Sequence, residues 1–163
     1  VVESDIHYPT DTGLLNDGIR VIARVVTRLK KLVPGIGSQF VKHTRKAKKL
    51  YLRLVKVMKG RTGKDAKTLK ETRHKLIKTS EKVIADAQAV EVELALQSEK
   101  SPRVKGLSRR LGDWIEALGK VVGQTKEVIK GNRHLPGRLV SLFDIGARPI
   151  RKGKAHKLSL IHI

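Results

Sequence analysis

The sequence predicts an α+β chain: an N-terminal strand, a basic bundle of about four helices, and a C-terminal β hairpin or partial strands. Three observations carry this expectation. Apolar residues recur at spacings of three and four from Leu15 to Val128, the helical period. Val1-Val2-Glu3-Ser4-Asp5-Ile6 mixes β-branched and polar residues in a short extended pattern, and Leu139-Val140-Ser141-Leu142-Phe143 is an apolar run of strand length.

After the first strand, the turn formers of Tyr8-Pro9-Thr10-Asp11 close the extended segment, and Asp11 or Thr12 can cap the next helix. That helix carries Leu15, Ile19, Ile22, Val26, Leu29 and Val33 on one face, and Pro34-Gly35 breaks it. A second helix is expected from about Ser38 to Lys59, with Phe40, Ala47, Leu50, Leu54 and Val57 on its apolar side and Gly60-Arg61-Thr62-Gly63 after it. The third, from Asp65 to about Gln97, sets Leu69, Leu76, Val83 and Val90 at heptad spacing. Ala87 and Leu94 fill the other seam position, and Arg73 and Ser80 interrupt it. An imperfect seam favours an antiparallel helical hairpin, whose partner is the segment Leu107 to Lys130 with Leu111, Trp114, Leu118, Val121 and Val128; Lys100 to Gly106 is read as the link. Past Gly131 to Gly137 the helical period gives way to the strand-length run, then a turn at Gly146-Ala147-Arg148-Pro149 and the start of another strand at Ile150.

The chain has 163 residues, enough for one domain with its own core. Lys and Arg number 36 against 15 Asp and Glu, a net charge of +21, far more than solubility requires, and a polyanion is the expected partner. Aromatic residues make up only 3%, so the core must be aliphatic. Zero cysteines exclude a disulfide frame, a thiolate zinc site and a thiol nucleophile. The lack of cysteine is read as a cytoplasmic compartment, and without an apolar run of about 18 residues no membrane partner is expected.

Two basic clusters are candidates for nucleic-acid contact. Lys42, Arg45, Lys46, Lys48, Lys49, Arg53 and Lys56 lie on the second helix, where they can line a phosphate backbone without reading bases; the plain alternative is a solvated face. Arg148, Arg151, Lys152 and Lys154 surround a second basic turn. Two-metal phosphoryl transfer needs several carboxylates converging on the ions. Outside the bundle only Glu3, Asp5, Asp11 and Asp144 are available, and Asp11 and Asp144 have structural positions at a cap and a turn. The histidines, His7, His43, His74, His134 and His156 among them, show no metal-ligand spacing. No catalytic, cofactor or metal residue is assigned. Trp114 and Tyr51 are read as packing residues.

The stretch Ile6-His7-Tyr8-Pro9-Thr10-Asp11, followed by Leu14-Leu15 and Gly18-Ile19-Arg20, resembles the DDE transposases of insertion sequences, where a Tyr-Pro-Thr-Asp motif follows the first catalytic strand. Gln124-Thr125, Leu139 to Asp144 and Arg148 to Lys154 resemble a second block of the same family, in the right order. The resemblance spans Val1 to about Lys157. It implies a ribonuclease-H-like domain interrupted by a helical insertion at about 12–132, with two Mg²⁺ ions bound by an Asp, Asp and Glu trio in the full-length parent. The family pattern places the first Asp before Val1 and the others beyond Lys157, so none is carried over and this chain alone is expected to be inactive. After Lys157 the sequence departs from the family, and 158–163 reads as a non-native tail to which no strand is assigned.

The resemblance implies DNA strand cleavage and transfer by the parent, with this chain contacting transposon ends or target DNA, or joining a synaptic homodimer. Two alternatives stay open: a free-standing basic DNA-binding protein of the architectural kind, and an RNA-binding helical protein.

Overall fold

The computed structural model describes residues 10–58, 66–132, 134–144, 149–151 and 158–160. Four helices dominate them: α1 (Asp11–Leu32), α2 (Thr44–Met58), α3 (Ala66–Ala95) and α4 (Pro102–Ile129). Among the described residues α1 and α3 touch each other and both other helices, whereas α2 and α4 do not pack on one another. The bundle is therefore a rhombus with α1 and α3 on its short diagonal and α2 and α4 on opposite flanks. The start of α1 and the ends of α2 and α4 line one cavity, as does Arg73 from the first third of α3, so successive helices alternate in direction.

Burial follows from this arrangement. Of the 22 residues of α1, twelve are buried, against two of the 15 in α2. Leu15, Ile19, Ile22, Val26 and Leu29 of α1 are wholly buried with Leu76 and Val83 of α3 and Leu111, Leu118 and Val121 of α4. Each such side chain contributes about 1.5–3 kcal/mol. Gly18 allows α1 and α4 to approach closely: a Cβ there would lie 2.7 Å from Leu118 Cδ1. Buried hydroxyls answer to their own helix, Thr72 donating to the Thr68 carbonyl, Ser80 to Leu76 and Thr125 to Val121.

Helix ends differ from the expectation in ways the local chemistry explains. Thr10, not Asp11 or Thr12, caps α1, its Oγ1 accepting from Gly13 N at 3.1 Å. α2 begins at Thr44 rather than near Ser38, because Gly37 takes the left-handed φ of +62° and donates its N–H to Glu93 Oε2 of α3 at 2.6 Å. That tie leaves Phe40 as a buried anchor and postpones the helix. α4 starts at Pro102, five residues before the expected Leu107. Ser101 caps it, accepting from Val104 N, and Pro102 occupies the first turn, where its missing N–H costs nothing.

The α+β expectation is overturned: the body is all-helical. The predicted strand at Val1 to Ile6 lies outside the described residues. Leu139 to Phe143 is not a strand but an irregular segment that bends at Leu142 and Phe143, with Leu139 and Leu142 buried and Ser141 Oγ accepting from Phe143 N and Asp144 N. It runs back along α4, since Leu139 bonds Gln124 and the Phe143 ring meets Trp114 edge-on at 5.7 Å. The one ladder among the described residues joins β1 (Pro149–Arg151) to β2 (Leu158–Leu160), with Ile150 opposite Ser159. Three pairs do not make a sheet layer, and β2 falls in the tail to which no strand was assigned, where Leu-Ser-Leu has the alternation of one. A ribonuclease-H-like sheet receiving a helical insertion is not present among the described residues.

Candidate nucleic-acid interface

α2 is the flank helix with the least buried surface, and this places its basic residues outward. Taking about 100° per residue, Ala47 and Leu54 point together into the core. Arg45, Lys46, Lys49, Arg53 and Lys56 fall within one arc of about 100° turned away from them. Lys42, in the loop before α2, is exposed, as are all five. Lys48 is exposed too but stands about 100° from the centre of the stripe. None of these seven has a carboxylate within ion-pair distance among the described residues. Arg45 and Lys49, like Lys49 and Arg53, are like charges four residues apart. Each such pair destabilises a helix by a few tenths of a kcal/mol, a cost that a bound anion would remove.

Of the second cluster, Arg148, Lys152 and Lys154 lie outside the described residues, and Arg151 is placed by its backbone alone, in β1.

Sequence reasoning missed a basic cavity of about 230 Å³ lined by His43, Lys46, Lys75, Lys78, Thr79 and Lys82. Lys75, Lys78 and Lys82 recur at three and four on α3, so they share its exposed edge beside α2. The His43 carbonyl accepts from Ala47 N at 2.9 Å, which fixes the residue at the start of α2. Its Nε2 is buried and has no hydrogen-bond partner. Burial lowers its pKa from the ordinary 6.5, Lys82 and Lys46 push the same way, and Asp86 opposes them. The signal in the sequence was the 75, 78, 82 spacing, whose meaning depends on which helix packs beside it.

At the far end of the bundle a polar clamp joins the start of α1 to α4 and the segment that follows it. Gln124 Nε2 donates to Asp11 Oδ1 and to the Leu139 carbonyl, both at 2.9 Å, and Gln124 Oε1 accepts from Leu139 N at 3.0 Å. Arg138 Nη2 bonds Asp11 Oδ2 at 2.8 Å. Asp11 and Gln124 are each 8% exposed, so these bonds are shielded from water and matter more than the exposed pairs Arg20–Asp17, Lys120–Glu116, Lys130–Glu127 and Lys126–Glu81. Asp11 therefore has a structural part, though as the clamp's acceptor and not as the helix cap.

Among the described residues no three His, Asp or Glu side chains converge as a metal site. The described residues do not bring together the carboxylate trio that two Mg²⁺ ions require. No described helix is long and apolar enough to cross a membrane. No known protein family, curated protein or solved structure matches this chain.

Proposed function

We propose that this helical bundle binds duplex DNA along its phosphate backbone, without reading bases, through the outward stripe of α2. The observation that carries the proposal is the stripe Arg45, Lys46, Lys49, Arg53 and Lys56, exposed and unopposed by carboxylates among the described residues. From Arg45 to Lys56 it is about 16 Å long, the rise of about five phosphates along one strand. Lys46, Lys49 and Lys56 carry point charges on flexible stems that suit positional contact with phosphates, and the guanidinium forks of Arg45 and Arg53 match phosphate oxygens bidentately.

The resemblance to insertion-sequence transposases supports a DNA partner, transposon ends or target, within a larger enzyme. The two blocks that carry the resemblance also meet in this fold, Asp11 from one and Gln124 and Leu139 from the other. Sequencing the source locus outward in both directions tests that parentage. Codons for an Asp-bearing strand upstream, and for a later Asp and Glu downstream, support it; an upstream stop codon and no such carboxylates count against it.

Binding itself is tested by fluorescence anisotropy on a duplex of arbitrary sequence across a salt series. Five phosphate contacts give log K against log salt a slope of about −4 to −5. A slope near zero, or an affinity that changes steeply with base sequence, overturns backbone binding by the stripe. Preference for structured RNA over duplex DNA would reassign the partner.

A further inference from the structure

We propose that the cavity between α2 and α3, walled by His43, Lys46, Lys75, Lys78 and Lys82, is a seat for a single phosphate group. The inference deepens the DNA reading and rests on it for the source of the phosphate, but not for the chemistry of the seat.

Four lysines from two helices line one concavity, largely with their stems, and none has an ion-pair partner among the described residues. On an ordinary surface such groups spread into water. Here neighbouring lysines on α3 stand about 5–6 Å apart at Cβ, inside the ~8 Å over which physiological salt screens charge, and Lys46 lines the same cavity from α2. At about 230 Å³ the space is several times the ~30 Å³ share of one water, so a phosphate group has room. The Thr79 hydroxyl is committed to the Lys75 carbonyl at 2.8 Å and offers the ligand no free proton. The donors are therefore the four lysines and the imidazole.

His43 provides the second observation. A buried ring nitrogen without a partner is costly unless something supplies one, and this nitrogen belongs to a residue lining the same cavity. With the ring turned so that Nε2 meets the cavity, a phosphate oxygen accepts from the protonated ring, and its negative charge offsets Lys82 and Lys46, which push His43 toward its neutral form, together with Lys75 and Lys78, which line the same cavity. Asp86 also faces His43 but does not line the cavity; its Oδ2 is likewise buried and unpartnered. A sulfur or carboxylate ligand set is not required, and neither is a metal. The seat differs from the α2 stripe in being a pocket, with only Lys46 common to both, so it can hold one phosphate where the stripe holds a run of them.

The test is an NMR titration of the His43 ring in the full chain with inorganic phosphate, against sodium chloride at equal ionic strength. Saturable shifts confined to His43 and its neighbours, with the ring's midpoint moved upward by phosphate and not by chloride, support the seat. Lys78→Gln with Lys82→Gln weakens phosphate binding on the order of tenfold or more. Arg24→Gln with Lys31→Gln, which removes the same charge from α1, leaves it unchanged. All four positions are exposed, so these variants keep the core intact. If a duplex oligonucleotide displaces phosphate from His43, the seated group comes from the backbone; if it binds without displacing phosphate, the seat serves a small phosphorylated compound. No saturable phosphate effect at His43 overturns the seat, whether or not the chain binds DNA.

Discussion

Gln124 and Leu139 exchange two hydrogen bonds, Leu139 N to Oε1 at 3.0 Å and Nε2 to the Leu139 carbonyl at 2.9 Å, so a side-chain carboxamide does for this segment what a neighbouring strand does in a sheet. The same Nε2 reaches Asp11, which holds Arg138. Gln124→Leu keeps the volume but removes the partners of three buried polar groups. At about 1–3 kcal/mol for each unsatisfied group, softened by local rearrangement, the expected loss is about 2–4 kcal/mol. Urea unfolding should show a lower midpoint at nearly constant slope. A loss below half a kcal/mol would mean that the clamp is not shielded from water.

Glycines on α1 and α4 should respond in opposite directions. Gly119 and Gly123 are exposed, and a Cβ at either meets nothing within 4 Å. Alanine at each gains about 0.5–1 kcal/mol from helix propensity alone. At Gly18 the same gain is opposed by the 2.7 Å approach to Leu118 Cδ1. Because Leu118 is wholly buried, its methyl has nowhere to swing without displacing other core side chains. Gly18→Ala is expected to cost about 1–3 kcal/mol, the range of overpacking. In a Leu118→Ala background, itself destabilised, adding Gly18→Ala should cost nothing or recover stability, a coupling that a double-mutant cycle measures directly. Additive costs would place the conflict elsewhere.

How much of this could be read from the chain depends on the range of the interaction. Leu15, Ile19, Ile22, Val26 and Leu29 announce their helix by period, and all five are wholly buried. Leu76, Val83 and Val90 do the same for α3. Ser101-Pro102 carries a legible cap and first turn, but Gly106 read as part of a link outweighed it. Leu139 to Phe143 was illegible for another reason: apolar residues at strand length do not reveal that their backbone partner is a glutamine on a preceding helix. The partners of Asp11, 113 and 127 residues away, were equally out of local reach. The α2 stripe could be found from sequence because one helix suffices to form it. The His43 cavity could not, since its lysines come from two helices whose packing no single-helix pattern encodes.

The α2 stripe makes a prediction that separates geometry from total charge. Lys48→Gln and Lys49→Gln change the net charge equally, and both side chains are exposed. Only Lys49 lies within the stripe. If α2 lies along a backbone, Lys49→Gln reduces the steepness of the salt dependence by about one contact, roughly 0.9 in the log–log slope, and Lys48→Gln leaves it nearly unchanged. Equal effects in an anisotropy series would show that the protein attracts DNA by its overall field and has no preferred face.

His43 makes stability depend on pH in a direction that can be worked out. Burial, chiefly, with Lys82 and Lys46 in support, lowers its folded pKa below 6.5, while Asp86 partly restores it. Between the two pKa values the unfolded chain binds more protons than the folded one, so stability rises with pH there. This contribution is fully present above about pH 6.5, falls as the pH drops through the window just below it, and levels off under the folded pKa. His43→Asn removes the titration. The difference in unfolding free energy between the natural protein and this variant should therefore shrink on acidification from pH 7.5 to 5, in buffer free of phosphate. Phosphate should flatten the same curve, because an anion in the cavity stabilises the protonated ring that burial disfavours. A difference that grows on acidification would mean that Asp86 prevails over burial and the lysines, pairing with the imidazolium and raising its pKa.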